Sequence, residues 1–243
     1  MRTVLLLSKK GECYSPLQNG TEQIQKIIEL PSFSIKPIKP LKIPESFNNN
    51  THIALFMSQY AVQSALSNPS LASFIKNIPC IGAVGGTTAS HLKTANIPVI
   101  LIPNEHSSEG LLKLNALQTS NIQNKNILIF RGRSGLTLLD DTLRNRGANV
   151  SEICLYERVF RSWSKQEWML LSAPESIDCI IALSVDSVIY FFNHFGSEQQ
   201  ALCQKMKDIP WYVKSHRIAE HAKLQGIKTV HILKNDFENN SSD

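Results

Sequence analysis

Nine short apolar runs, interleaved with helical patterns along nearly the whole chain, constrain its fold more than any other feature. They are Thr3–Leu7, Ile53–Phe56, Cys80–Val84, Val99–Ile102, Ile127–Phe130, Ile153–Tyr156, Ile177–Ala182, Trp211–Val213 and Thr229–Ile232. Most are apolar at consecutive positions rather than alternating, which is the pattern of strands buried on both faces of a parallel sheet. Helical patterns lie between them, at Tyr60–Leu66, Thr88–Thr94, Gly110–Leu117, Leu136–Arg146, Val185–Phe195 and Ile218–Leu224. Strand–helix alternation of this kind predicts an α/β fold. A length of 243 residues favours two modest domains over one large one, and a hydrophobic content of 42% is ordinary for a globular protein with real cores.

Two stretches break the rhythm. Pro31-S-F-S-I-K-P-I-K-P-L-K-I-Pro44 carries four prolines, cannot be helical, and reads as an extended interdomain crossing. Ile153–Arg161 is the second extended piece, and the two are expected to pair as a ladder. A faint duplication supports two similar domains: Thr88-A-S-H-L-K-T-A-N-Ile97 lines up with Ile218-A-E-H-A-K-L-Q-G-Ile227. Upstream of each, an apolar strand ends in serine, at Ser58 and at Ser184. This architecture predicts a cleft between two sheets, with serine and threonine turns facing it. The tail Asn239–Asp243 is polar and expected to fray.

The most suggestive single unit runs from Ile127 to Arg158. An apolar strand ends in Arg131-G-R-S-G, a helical pattern follows to Gly147, and a second strand carries Tyr156 near its end. That places Arg131, Gly132, Ser134 and Gly135 at the carboxyl end of a strand, where an open α/β sheet puts its ligand. An ordinary βαβ unit with a surface arginine is the plainer reading.

Other site types lack support. There is no G-x-G-x-x-G after a strand, no G-x-x-x-x-G-K-[ST] and no G-x-S-x-G. The five cysteines form no C-x-x-C pair, and the seven histidines show no metal-ligand spacing. His91 and His221 read as partly exposed helical residues. Asp140 and Asp141 are helix neighbours that diverge by ~100°, a poor acid–base couple. The net charge of +5 is scattered, which suits an anionic small molecule and gives no expectation of a nucleic-acid partner. No apolar run approaches the ~20 residues of a membrane span, and Thr3–Leu7 is too short for the apolar part of a secretory leader. The expectation is a reduced, cytoplasmic, soluble protein. What remains for a site is hydroxyls, glycines, backbone amides at strand ends and one tyrosine. Such a set can hold a carboxylate-rich ligand through main-chain N–H groups at helix N-termini.

The pattern resembles the uroporphyrinogen-III synthase family. The strongest match is Arg131-G-x-x-G-x-x-x-Leu139-x-x-x-Leu143-x-x-Arg146-G-A-x-Val150 followed by Tyr156-E-Arg158. Weaker matches accompany it in order: Phe56-M-S-x-x-A-Val62, Val84-G-x-x-T-Ala89, Ser108-E-G-L-Leu112, Ala182-L-S-x-x-S-Val188, and Ser215-x-R-I-Ala219 leading to Gly226. The resemblance implies two similar α/β domains with parallel, flavodoxin-like sheets, joined by a two-stranded β-ladder with a cleft between them. The first domain would be residues 1–32 with 162–243, the second 42–152, and the linker strands 33–41 and 153–161. It implies cyclisation of the linear tetrapyrrole hydroxymethylbilane with inversion of the last pyrrole ring and loss of water. No metal and no organic cofactor are implied. A monomer is expected, with room for a transient contact with the preceding enzyme of the pathway. A non-catalytic tetrapyrrole-binding or regulatory protein on the same fold is the alternative.

Roles follow from the matched positions. Tyr156 matches the family's tyrosine near the cleft, where a phenol, protonated at neutral pH, suits donation to a departing hydroxyl. Its plainer role is packing at a domain junction. Thr88, opening a helix after Gly85 and Gly86, reads both as a helix cap and as a carboxylate site. Ser58 and Ser184 are candidate substrate contacts or caps. Arg131, with Gly132 and Ser134, would pair with a substrate carboxylate or brace its own loop. Ser215 and Arg217 match a variant of the same turn. Departures fall on the first domain: Ser8, Lys9 and Lys10 stand where the family commonly has T-R-P, and Ile218 replaces a threonine. Lysine keeps a charge but loses the guanidinium fork. Ser8 and Lys9 are kept as candidate substrate contacts.

Overall fold

A computed structural model describes residues 2–7, 24–38, 43–48, 50–133, 137–171 and 176–233. The chain divides into two compact units, Met1–Ser34 with Val159–Asp243, and Ile35–Arg158. The described strands are β1 (Arg2–Leu7), β2 (Ile24–Glu29), β3 (Phe33–Pro37), β4 (Ile53–Phe56), β5 (Cys80–Ala83), β6 (Asn126–Gly132), β7 (Asn149–Phe160), β8 (Cys179–Ala182), β9 (Trp211–Val213) and β10 (Val230–Ile232). The helices are α1 (Gln59–Leu66), α2 (Pro69–Lys76), α3 (Gly86–Thr94), α4 (Ser108–Lys113), α5 (Thr119–Ile122), α6 (Leu138–Asn145), α7 (Lys165–Leu171), α8 (Val185–Phe192), α9 (Gln200–Asp208) and α10 (His216–Leu224).

The first sheet runs β10-β9-β8-β1-β2, with parallel pairing throughout. Counted within its own unit from β2, the order is 2-1-3-4-5, the flavodoxin-like doubly wound order. The second runs β3-β7-β6-β4-β5, with β7, β6, β4 and β5 parallel. Strand β3 is antiparallel to β7: Ile38 donates its N–H to Leu155, and Arg161 donates to Ser32, so one strand ascends as the other descends. The proline-rich stretch and the Ile153–Arg161 piece thus pair as expected. The direction of winding reverses between β1 and β8 in one sheet and between β4 and β6 in the other.

The consecutive apolar runs are explained by two-sided burial. Along β4, Ala54 and Phe56 enter one core cluster while Ile53 and Leu55 enter another. In the first unit, Leu5 and Leu7 face one cluster and Val4 and Leu6 another. Each of the Val, Leu, Ile and Phe side chains among these contributes ~1.5–3 kcal/mol of burial. Phe56 and Phe130, paired in register on β4 and β6, also stack with centroids 4.6 Å apart.

The duplicated helix motif has a packing cause. Asn96 (φ 57°) and Gly226 (φ 84°) both take the left-handed position after α3 and α10. The next residue, Ile97 or Ile227, donates its N–H back to Leu92 or Ala222 in the last turn. This is the Schellman closure with its apolar contact. Gly147 (φ 86°) does the same after α6.

Two expected elements are corrected and one strand is added. Val99–Ile102 is not a strand: only Leu101 bridges, to Gly82, between Pro98 and Pro103, which supply no ladder donors. Gly110–Leu117 is not one helix, because α4 stops at Lys113, Leu114 is extended, and a separate 3₁₀ turn follows. Gln118 Nε2 donates to the Leu112 and Leu114 carbonyls on either side of the break. Strand β2 adds to the expected set, since I-Q-K-I-I-E neither alternates cleanly nor runs apolar.

Candidate functional site

The candidate residues within the described chain gather at the carboxyl ends of the parallel strands or the first turns of the helices that follow. Ser58 follows β4, Gly85 and Gly86 follow β5, Arg131 and Gly132 end β6, Ser184 follows β8, and Ser215 follows β9. Ser8, Lys9 and Ser134 lie outside the described residues.

In the second unit these ends are tied together by Tyr156. Gly132 on β6 pairs in register with Tyr156 on β7, past an irregularity at Arg131. The tyrosine ring passes over that glycine: a Cβ on Gly132 would lie 2.6 Å from Tyr156 Cζ. Two strands away, the phenol oxygen meets Ser58 Oγ at 2.8 Å. Tyr60 meets the tyrosine ring edge-on at 5.7 Å, and the Arg158 guanidinium lies 5.5 Å from its centroid. Tyr156 is therefore 2% exposed, a buried phenol with its hydroxyl held by a named partner.

Ser58, Ser184 and Ser215 share a second role. Each is extended (φ −168°, −150° and −154°) and accepts from an N–H three residues on, at Ala61, Ser187 or Ile218. They are side-chain caps of α1, α8 and α10. The fourth helix of this set differs. Its cap position is Gly85, with no side-chain cap bond, so the expectation that Thr88 caps α3 is corrected. Thr88 stands three residues further on and is buried, as is Ile218 at the matching place in α10. Arg217 is exposed in the first turn of α10.

Arg131 is not at the surface. Its side chain is 8% exposed, with Nη1 2.6 Å from Asp140 and 3.3 Å from Glu152. A guanidinium committed to two internal carboxylates braces the end of β6 against α6, which corrects the picture of an arginine open to ligand. Close by, burial first and then Glu152 push the Cys154 thiol up, against the pull of Arg131 and Arg133.

Two residues escape sequence reasoning. His106 lies over the amino end of α3, where a Cβ on Gly85 would be 2.8 Å from His106 Cγ. Gly110 allows that loop, because a Cβ there would fall 1.8 Å from the Glu105 carbonyl oxygen. Nothing in the spacing of His106 signals this. Arg158 does carry a signal, the Tyr156-E-Arg158 match, but that match alone assigns it no role.

A parallel doubly wound sheet with capped helices at its switch point defines the doubly wound α/β class of protein. A family model described as uroporphyrinogen-III synthase HemD matches residues 22–236, and the chain belongs to that family. Uroporphyrinogen-III synthase of Proteus mirabilis is 39% identical over 88 residues, which are 36% of this chain and 43% of the relative. That of Escherichia coli K12 is 44% identical over 82 residues, 33% of this chain and 32% of the relative. The matched stretches thus span less than half the length of these curated relatives. Among solved structures, uroporphyrinogen-III synthetase from Helicobacter pylori 26695 superposes with a TM-score of 0.64 at 17% identity, covering 96% of this chain and 93% of that one. A mutant uroporphyrinogen III synthase from Thermus thermophilus gives 0.60 at 14% identity, covering 97% and 94%. These two likenesses establish the fold. No helix among the described residues is long and apolar enough to cross a membrane.

Proposed function

We propose that this protein is a uroporphyrinogen-III synthase: it closes hydroxymethylbilane to uroporphyrinogen III, inverting the last pyrrole ring with loss of water. The observation that carries this reading is the family match over residues 22–236. The substrate class is a linear tetrapyrrole with carboxylate side chains, handled in the cytoplasm by a monomer that needs neither metal nor organic cofactor.

Two tasks are required. The first is departure of the hydroxyl. The pyrrole nitrogen pushes electrons toward the carbon bearing it, the C–O bond breaks, and the hydroxyl leaves as water once a proton is donated. Tyr156 is the donor in this reading, with its hydroxyl held on Ser58 at 2.8 Å. The second task is folding the chain so that the substituted carbon of the last ring forms the new C–C bond. The older bond from that carbon to its methylene bridge then breaks and re-forms at the free α carbon of the same ring, which gives up its proton. Holding these carbons in reach is positioning work. Carboxylate anchors for it are the amino ends of α1 and α3 beside Ser58, Gly85, Gly86, Thr88 and Gly132, and those of α8 and α10 beside Ser184, Ser215 and Arg217. The amino end of α3, where Gly85 gives no side-chain cap, suits a carboxylate best of the four. Ser8, Lys9 and Ser134 complete the proposed contacts, while Arg131 acts from behind.

The test is to supply hydroxymethylbilane and identify the isomer formed. Only the symmetric type I isomer, at the spontaneous rate, would sink the reading. Tyr156→Phe is expected to lower turnover about a hundredfold while costing about 1 kcal/mol of stability through the lost Ser58 bond. Wild-type rates in that variant remove Tyr156 from the mechanism.

A further inference from the structure

The serine beside Tyr156 does more than cap a helix. A serine hydroxyl has one proton and two lone pairs. At Ser58, one lone pair takes the Ala61 N–H at 3.1 Å. The Tyr156 oxygen, 2.8 Å away, is within reach of either the remaining lone pair or the proton. If Ser58 accepts, the tyrosine proton points inward and is spent on the protein. If Ser58 donates, the tyrosine proton is released for a ligand oxygen, and every proton in the chain is used.

We infer that Ser58 is a positioning residue for Tyr156, donating to the phenol oxygen so that the series Ala61 N–H, Ser58 O–H, Tyr156 O–H runs outward from the amino end of α1. This rests on the proposed synthase reading and deepens it. Three features favour the outward direction. The amino end of α1 carries the positive end of the helix dipole directly behind Ser58. Hydrogen bonds aligned in series strengthen one another in a buried setting, and Tyr156 is 2% exposed. The ring has little freedom to turn elsewhere, since Gly132 lies under it and Tyr60 abuts its edge. In the first unit the matching hydroxyl, Ser184, meets Ser187 of its own helix at 2.8 Å, so coupling to a tyrosine is not a by-product of capping.

Three substitutions separate positioning from capping. Ser58→Thr keeps both cap and proton. Ser58→Asp keeps a good cap but, as an ionised carboxylate, can only accept, and so turns the tyrosine proton inward. Ser58→Ala loses both. With hydroxymethylbilane as substrate, Ser58→Thr should recover kcat to within about threefold of wild type, whereas Ser58→Ala should lose about tenfold in kcat, a larger change than any in KM. Ser58→Asp should melt like wild type yet turn over no faster than Ser58→Ala. Wild-type kcat in Ser58→Ala, or recovery of kcat in Ser58→Asp together with the cap, would overturn the inference. A measurement independent of turnover is the tyrosine Fermi doublet in ultraviolet resonance Raman spectra, taken as a difference against Tyr156→Phe. It should read a phenol oxygen that accepts in wild type and Ser58→Thr, and a phenol that donates strongly in Ser58→Asp. The same signature in wild type and Ser58→Asp would overturn the donor direction. A wild-type protein that yields only the type I isomer would overturn the synthase reading instead, and the Raman comparison would still decide the direction of the bond.

Discussion

In the second unit Ser58 caps α1 and binds the hydroxyl of Tyr156; in the first unit Ser184 caps α8 with the same geometry and binds Ser187. The registers show why. Ile129 on β6 stands beside Leu55 on β4 and Glu152 on β7, and Leu6 on β1 stands beside Ile181 on β8 and Glu29 on β2. Ser58 and Ser184 each follow three residues after Leu55 and Ile181. Four residues beyond Glu152 is Tyr156; four beyond Glu29 is Phe33, whose ring packs on Tyr190 at 5.5 Å. The duplicated frame therefore supplies a capped helix beside the switch point in both units. A single hydroxyl on one neighbouring strand distinguishes the unit we assign to proton donation from the unit we assign to binding alone.

The strongest way to break the second unit's arrangement is to remove Arg131. Asp140 is 2% exposed, and losing its partner would strand a buried carboxylate, so Arg131→Ala should cost about 3–5 kcal/mol. The contrast is Arg133, whose side chain is 62% exposed on Glu157 and whose loss should cost about 1 kcal/mol or less. Chemical denaturation of both variants checks this, and equal losses would refute the bracing role.

Gly132→Ala comes next. Its Cβ would meet a ring that packing holds in place, costing about 1–3 kcal/mol in overpacking and moving the phenol off Ser58. Gly86→Ala is the control for stability, because its Cβ would find its nearest atom at an ordinary 3.7 Å. A Gly132→Ala protein with unchanged melting and unchanged turnover would show that the ring does not depend on the glycine.

Ser58→Ala and Ser184→Ala sharpen the comparison itself. Each loses a cap, about 1 kcal/mol, so their stabilities should fall alike. Their kinetics should diverge. Ser58→Ala should act on kcat through Tyr156, and Ser184→Ala on KM, since its hydroxyl partner is Ser187 of its own helix rather than a tyrosine. Identical kinetic profiles would make the two units equivalent in function.

Much of this frame is legible in the amino-acid sequence. Two-sided burial writes itself as consecutive apolar residues, so β4, β6 and β8 are plain, and the recurring helix ends at Asn96 and Gly226 announce a duplication. Edge elements are less plain. Among the described residues strand β2 has a neighbour on one side only, and it mixes Gln, Lys and Glu with its isoleucines, whereas Val99–Ile102 looks like a strand but is confined by prolines. The site is legible as residues and not as contacts. Ser58 and Tyr156 both stand out in sequence, yet the bond between them joins positions 98 residues apart and follows from strand order, which periodicity does not encode. Arg131 shows the converse: at a strand end it resembles a ligand group, and only the fold brings Asp140 and Glu152 onto it.

The aromatic ground that replaces Tyr156 in the first unit makes the last and smallest prediction. His194 sits there, with Trp163 stacked 3.6 Å away and Phe160 at 4.5 Å. Its Nδ1 lies 2.7 Å from the Tyr190 carbonyl oxygen and its Nε2 2.7 Å from that of Arg161. Burial pushes the imidazole below its ordinary value and outweighs the carbonyls, which favour the proton. An unfolded histidine titrates near ~6.5. Between that pH and the lower folded value, the unfolded chain holds more protons than the folded one, so stability rises with pH across this window and is lost on acidification. Melting temperatures of wild type and His194→Gln should therefore converge as pH falls from 7.5 toward 5, with wild type losing more. Parallel curves would mean that burial and the carbonyls cancel at His194, and a wild type that gains on the variant in acid would mean that the carbonyls, not burial, set its charge.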